Sequence, residues 1–128
     1  MKHSFQKSER LKSKKQIDAL LKNGAFKTYF PLKVYISKIN AEGSNVRFLV
    51  AVPKKKFPSA VDRNRVKRII RECWRKNKAV LCGIAKEKNF SINVGVIYLS
   101  RDLPNFFETC LRFEKIITYL VAETTKTE

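Results

Sequence analysis

Between Ala60 and Glu72 the chain reads AVDRNRVKRIIRE, and the side chains with the most concentrated chemistry lie in and just beyond it. Arg63, Asn64, Arg65, Lys67, Arg68, Arg71 and Arg75 offer guanidinium, ammonium and amide donors, with almost no acceptor among them. Donors of this kind neutralise phosphates and release the counterions condensed on a polyanion. Groups that break bonds are sparse by comparison. His3 lies in the opening residues and most carboxylates stand isolated among bases, so no pair of carboxylates and histidine falls at metal-ligand spacing. Cys73, Cys82 and Cys110 are odd in number and lack CxxC spacing. That suggests neither a disulfide framework nor a cysteine zinc site, and it points to the reducing cytoplasm.

The charge around this stretch is large and one-sided. The formal net charge is +17, and residues 1–78 hold 22 Lys and Arg against 5 Asp and Glu, whereas residues 79–128 hold 6 against 6. Self-repulsion at that density opposes folding, so a polyanionic partner is expected, either nucleic acid or an anionic surface. The opening MKHSFQKSERLKSKK stays polar, unlike a secretory signal, and no later segment approaches the roughly 20 apolar residues of a spanning helix. At 128 residues, 44% of them hydrophobic, one domain with one core is expected, preceded by a flexible tail to about Lys12.

The elements that must position the basic residues can be read from periodicity. Ser13 and Gln16 have capping-box spacing, Ile17, Leu20 and Leu21 recur at helical intervals, and Gly24 is placed to end the helix in the left-handed conformation. A helix from about Lys14 to Asn23 is predicted. From Phe30 to Ile39 the period becomes two, with Leu32, Val34 and Ile36 on one face and Lys33, Tyr35 and Ser37 on the other. Glu42 to Asn45 supplies a turn, and Val46 to Val52 is again extended, so the two strands are expected to pair as a hairpin. A basic loop through Lys54, Lys55 and Lys56 leads to the long helix, followed by a linker and a strand from Ile92 to Leu99. Pro104 suits the first turn of a last helix whose apolar face would be Phe106, Phe107, Cys110, Leu111, Ile117, Leu120 and Val121. The predicted order is αββαβα.

The basic helix itself divides by face. Ser59 is the predicted cap, with Asp62 in the first turn where the helix dipole favours a carboxylate. Val66, Ile69, Ile70, Cys73, Val80 and Leu81 fall on one stripe, expected to pack on the sheet, with Trp74 at its margin as a core residue. Asn64, Lys67, Arg68, Arg71, Arg75 and Lys78 fall nearly opposite. A helix stabilised for its own sake pairs Glu with Lys at i, i+4, and such pairs hardly exist here. Like charges stacked at these spacings repel by a few tenths of a kcal/mol each, a penalty that phosphates would remove.

AVDRNRVKRIIRE closely resembles the RNR motif of the bacterial ribonuclease P protein family. The likeness extends to KSERLKSKKQIDALLKNG before it, to VAVPKKKFPSAV leading into it, and to the later strand and helix, so it covers essentially the whole chain in order. The resemblance implies an α+β two-layer sandwich of the ribosomal protein S5 domain 2-like type, with a left-handed βαβ crossover. It implies that the motif helix faces the catalytic RNA subunit, through Arg63, Asn64, Arg65, Lys67, Arg68, Arg71 and Arg75. Arg63 lies at the boundary of the two faces, so a position facing the RNA subunit and one facing the cleft are both open for it.

The resemblance also implies a cleft that holds the single-stranded 5′ leader of precursor tRNA. Its positions here are Ile17, Leu21, Lys33, Tyr35, Lys54 and Lys55. Ile17 and Leu21 stand where relatives often have phenylalanine, which leaves apolar contact in place of stacking. Tyr35 would stack on a base or make an ordinary sheet contact, and Lys54 and Lys55 would line the cleft rim or a solvated loop. The implied reaction is removal of the leader by an endonuclease whose Mg²⁺ ions are positioned by the RNA subunit, with no catalytic residue in this chain. The implied partners are the RNA subunit and precursor tRNA, with no membrane and no obligate protein partner.

Other binding classes are separable. A ribosomal protein or RNA chaperone would carry the same charge but would not alter precursor-tRNA cleavage. A helix-turn-helix DNA binder needs a companion helix where this chain has a strand. A membrane-surface helix would need its apolar stripe free, and the sheet requires that stripe.

Overall fold

The structure, a computed structural model, describes residues 10–39 and 45–126. Within them lie α1 (Lys14–Asn23), β1 (Ala25–Tyr29), β2 (Leu32–Ile39), β3 (Val46–Ala51), α2 (Ala60–Asn77), α3 (Ala79–Lys88), β4 (Ser91–Tyr98) and α4 (Phe106–Thr125). The sheet runs β1-β2-β4-β3, antiparallel except for the β3–β4 pair. The expected α+β sandwich is present, with α2, α3 and α4 covering one face of the sheet and α1 laid on the other.

Two strand expectations are corrected. β2 and β3 do not form a hairpin, because β4 lies between them, pairing Val34 with Val96 on one side and Val50 with Val96 on the other. β4 is buried along both faces apart from Ile97, as a central strand must be. The partner of β2 in a hairpin is instead β1, a strand missing from the expected order, which joins it through Phe30-Pro31. The turn expected over residues 42–45 lies largely outside the described residues, of which only Asn45 is seen.

Helix caps form where the sequence places them. Ser13 Oγ accepts from the Gln16 N–H at 3.3 Å and Ser59 Oγ from the Asp62 N–H at 3.4 Å. Ser59→Ala is expected to destabilise the fold by about 0.5 to 1 kcal/mol, readable as a lower urea midpoint at unchanged m-value. Gly24 does end α1, but in an extended conformation (φ −71°) rather than the left-handed one. Glycine is required there for space, since a Cβ would lie 2.5 Å from the Leu20 carbonyl oxygen.

The long helix breaks once. Lys78 joins α2 to α3, and the Asn77 side chain donates to the Cys73 carbonyl at 2.8 Å, satisfying an acceptor of the last turn. The break shifts the helical phase of α3 relative to α2, so Val80 is exposed while Leu81 remains buried, and the row's last cation, Lys78, is buried. Ile69, expected on the buried stripe, is only half-buried, whereas Trp74 lies fully within the core, stacked on Phe48 with centroids 4.4 Å apart. Such a pair adds about 0.5 to 1.5 kcal/mol beyond its burial. Cys73 of α2 also meets Cys110 of α4, sulfur to sulfur at 2.6 Å, and burial pushes the Cys73 thiol up.

α4 begins later than expected, with Asn105 as cap and Pro104 outside the helix. Its buried stripe is therefore Thr109, Phe113, Ile116, Ile117, Leu120 and Thr124, and Phe106, Phe107 and Leu111 are exposed. At the other end of the chain, Arg10 and Leu11 are not a free tail. Leu11 is buried and its N–H donates to the Phe48 carbonyl at 3.0 Å, extending the free edge of β3.

Candidate nucleic-acid interface

α2 is held by Val66, Ile70, Cys73 and Trp74 in the main core, which turns the intervening cations outward. Asn64, Arg65 and Arg68 are exposed, and Lys67 and Arg71 are half-buried. Among the described residues, none of Arg65, Lys67, Arg68 and Arg71 has a carboxylate partner. Partial burial, then Arg71 and Arg63, lower the Lys67 pKa, and burial and Arg10 lower that of Arg71. These neighbours crowd one another's charge. An anion laid across them would reverse the effect.

Two of the arginines carried over from the family resemblance are already engaged. Arg75 is paired with Glu72, one turn back, through both Nε and Nη2, and that bond holds the Glu72 carboxyl below the usual carboxylate range. Arg63 turns back over the start of α2, where its Nη1 donates to the carbonyls of Phe57 and Pro58, each at 2.9 Å. It thus braces the basic loop against the helix. The wheel angle left it between two surfaces because the side chain follows neither: it runs along the axis to carbonyls that no helical projection includes.

The opposite face of the sheet, with α1 on it, carries Ile17, Leu21, Lys33 and Tyr35 of the other predicted positions, and the loop before α2 carries Lys54 and Lys55. Leu20 rests on Gly95, where a Cβ would lie 3.0 Å from Leu20 Cδ2, so the missing side chain lets α1 sit close to the strand. Leu11, Leu20 and Tyr35 form a second cluster with Ile17, Leu49 and Ile97 packed against it. Ile17 is half-buried in that cluster, Leu21 is exposed, and Lys54 and Lys55 are exposed on the loop before α2. Tyr35 is 7% exposed. Its ring is thus a part of the floor, which leaves little surface for the stacking expected of it. Lys33 reaches over this floor, its Nζ 5.3 Å from the Tyr35 centroid.

Sequence reasoning passed over Phe26. It lies directly opposite Tyr35 in the β1–β2 ladder and is 58% exposed, with Lys33 Nζ 4.6 Å from its centroid. A phenylalanine beside lysines in an unassigned segment was the available signal. Among the described residues, no group of three or more His, Cys, Asp and Glu side chains comes together as metal ligands, and no helix is long and apolar enough to cross a membrane.

A mixed sheet with a parallel β3-helix-β4 unit, whose connecting helix buries one side and turns Arg65, Lys67, Arg68 and Arg71 outward on the other, defines the class: a basic α+β domain with a cationic helix face. The ribonuclease P family pattern matches residues 5–110, and the chain belongs to that family of protein subunits. It is 35% identical over 102 residues to a ribonuclease P protein component from Porphyromonas gingivalis, spanning 78% of this chain and 74% of the relative. A ribonuclease P protein component of Borrelia turicatae is 33% identical over 112 residues, spanning 87% and 90%. Two solved structures share the fold. The RNase P protein of Thermotoga maritima superposes with a TM-score of 0.64 at 23% identity, covering 88% of this chain and 94% of that one. A Staphylococcus aureus RNase P protein mutant gives 0.65 at 22% identity, covering 88% of each.

Proposed function

We propose that this chain is the protein subunit of a ribonuclease P ribonucleoprotein, binding the catalytic RNA through α2 and the 5′ leader of precursor tRNA on the α1 side of the sheet. The observation that carries the reading is the outward row Lys67, Arg68 and Arg71, none with a carboxylate partner among the described residues, in a chain of this family. Asn64 and Arg65 extend that surface, Arg63 braces its start, and Arg75 joins it only when released from Glu72. Ile17, Leu21, Lys33, Lys54 and Lys55 line the leader side, over the Tyr35 floor.

In this reading the protein positions substrate and screens phosphate repulsion, contributions of proximity and electrostatics. The carboxylates of this chain do not assemble a metal site among the described residues. In this reading the Mg²⁺ required for hydrolysis is held mainly by the RNA subunit, where it would activate water and stabilise the leaving oxygen. The site of action is the cytoplasm, where precursor tRNA is made.

The test is reconstitution with a bacterial ribonuclease P RNA at low Mg²⁺. Cleavage of precursor tRNA should be stimulated by the protein, and absence of stimulation at every protein concentration rejects the reading. A finer outcome concerns Glu72→Gln. Releasing Arg75 should tighten RNA-subunit binding and steepen log Kd against log salt by about 0.7 to 0.9, measured by filter binding across a salt series.

A further inference from the structure

Phe26 is a large apolar ring left 58% open to solvent on the edge strand β1, although its cross-strand neighbour Tyr35 is 7% exposed. Exposure of a single apolar residue is ordinary, but this ring is supported in a particular way. The Tyr35 ring lies beside it with centroids 5.6 Å apart at 41°, and the Lys33 ammonium sits 4.6 Å from the Phe26 centroid and 5.3 Å from that of Tyr35. Tyr35 is in turn packed with Leu11 and Leu20. The open ring is therefore mounted on a rigid base, with a cation held beside it.

The chemistry of that pairing selects its occupant. A protein partner would be expected to cover a contiguous apolar patch, whereas the next residue of β1 on the face of Phe26 is Thr28, and the cross-strand neighbours of the pair include Lys33. Among the described residues Lys33 has no carboxylate partner. A ring to stack on and an ammonium for the adjoining phosphate are what an unpaired nucleotide needs, and the combination tolerates any base because every base has a π face.

We propose that Phe26, supported by Tyr35 and flanked by Lys33, is the stacking seat for a base of single-stranded RNA, and that it fills the role a stacking tyrosine would have had at position 35. The inference rests on the leader reading and adds the residue that grips the leader. Tyr35 acts through Phe26 as a positioning residue.

The experiment uses Phe26→Ala, Phe26→Leu and Phe26→Trp in two arms. In the first, holoenzyme reconstituted with a bacterial ribonuclease P RNA binds precursor tRNA with an unpaired leader or mature tRNA. In the second, the full-length protein alone binds an unstructured oligouridylate of leader length. Phe26→Ala should weaken precursor and oligouridylate binding by roughly 5-fold to 150-fold and leave mature tRNA unchanged. Phe26→Leu should be nearly as weak, because it keeps apolar bulk but loses the π face, and Phe26→Trp should bind as well as wild type or better. If Phe26→Ala equals wild type in both arms, or Phe26→Leu restores full binding, the stacking seat is wrong. Wild-type holoenzyme that holds precursor and mature tRNA equally overturns the leader reading itself, and the oligouridylate arm then decides whether Phe26 stacks on RNA at all.

Discussion

Replacing Lys67, Arg68 and Arg71 together with alanine is expected to weaken binding of the ribonuclease P RNA roughly a thousandfold, taking each lost contact at about 1.5 kcal/mol, the lower end for hydrogen bonds to charged groups. The slope of log Kd against log salt should fall by about two to three, since each phosphate contact contributes about 0.7 to 0.9. Thermal stability should be unchanged or slightly raised. None of the three has a carboxylate partner among the described residues, and burial and like-charged neighbours already disfavour the charged forms of Lys67 and Arg71. Their alkyl stems are the only favourable packing removed. A triple variant that keeps the wild-type salt slope would show that the RNA lies elsewhere. One that loses both binding and stability would show that the row supports the fold.

Opposite signs for binding and stability are what distinguish a surface kept for a partner from a solvated helix face. Arg75 illustrates the second kind in the same helix. Its pairing with Glu72 at i, i+3 is a surface ion pair of the sort that contributes little to stability, and it takes Arg75 out of a row to which spacing alone had assigned it. Spacing reports direction from the helix axis. It does not report what a long side chain finds when it reaches along the surface, which is why neither the carbonyl contacts of Arg63 nor the pairing of Arg75 with Glu72 could be read from it.

The same distinction governs what was legible in the fold. α1 and the start of α2 could be read because their caps and apolar repeats are local, and β2 and β3 because alternation marks a strand with one face more deeply buried than the other. Pairing is not local. Val46 to Val52 is equally compatible with β2 or β4 as neighbour, and the choice depends on β4, buried on both faces and lacking alternation. β1 was missed for the opposite reason: AFKTY is exposed along nearly its whole length and carries no buried face to set a period. Missing β1 also hid Phe26, which stands opposite Tyr35 in the ladder. The long-range contact that buries Tyr35, between α1 and the sheet, cannot be read from the alternation of β2.

That contact carries the second large prediction. Leu20→Ala is expected to loosen α1 from the sheet by about 2 to 5 kcal/mol, because Leu20 is 1% exposed and is the α1 residue buried against Tyr35 and Gly95. α1 has ten residues, fewer than the roughly 12 to 15 at which an isolated helix is even marginal in water. Without its anchor it should open as a unit. Gly95→Val attacks the same contact from the sheet side, since even a Cβ there lies 3.0 Å from Leu20 Cδ2, and overpacking of this kind costs about 1 to 3 kcal/mol. α2 should not open with it, because Val66, Ile70, Cys73 and Trp74 belong to the separate cluster on the other face. In hydrogen exchange, α1 amides should lose roughly 30-fold or more of their protection in Leu20→Ala, with faster tryptic cleavage after Lys15 and Lys22, while α2 amides and the emission of buried Trp74 stay as in wild type. Preference for precursor over mature tRNA should disappear in both variants, with affinity for the RNA subunit retained. Equal loss of protection in α1 and α2 would mean that the two faces of the sheet form one cooperative unit, and that leader binding and RNA-subunit binding cannot be separated by mutation.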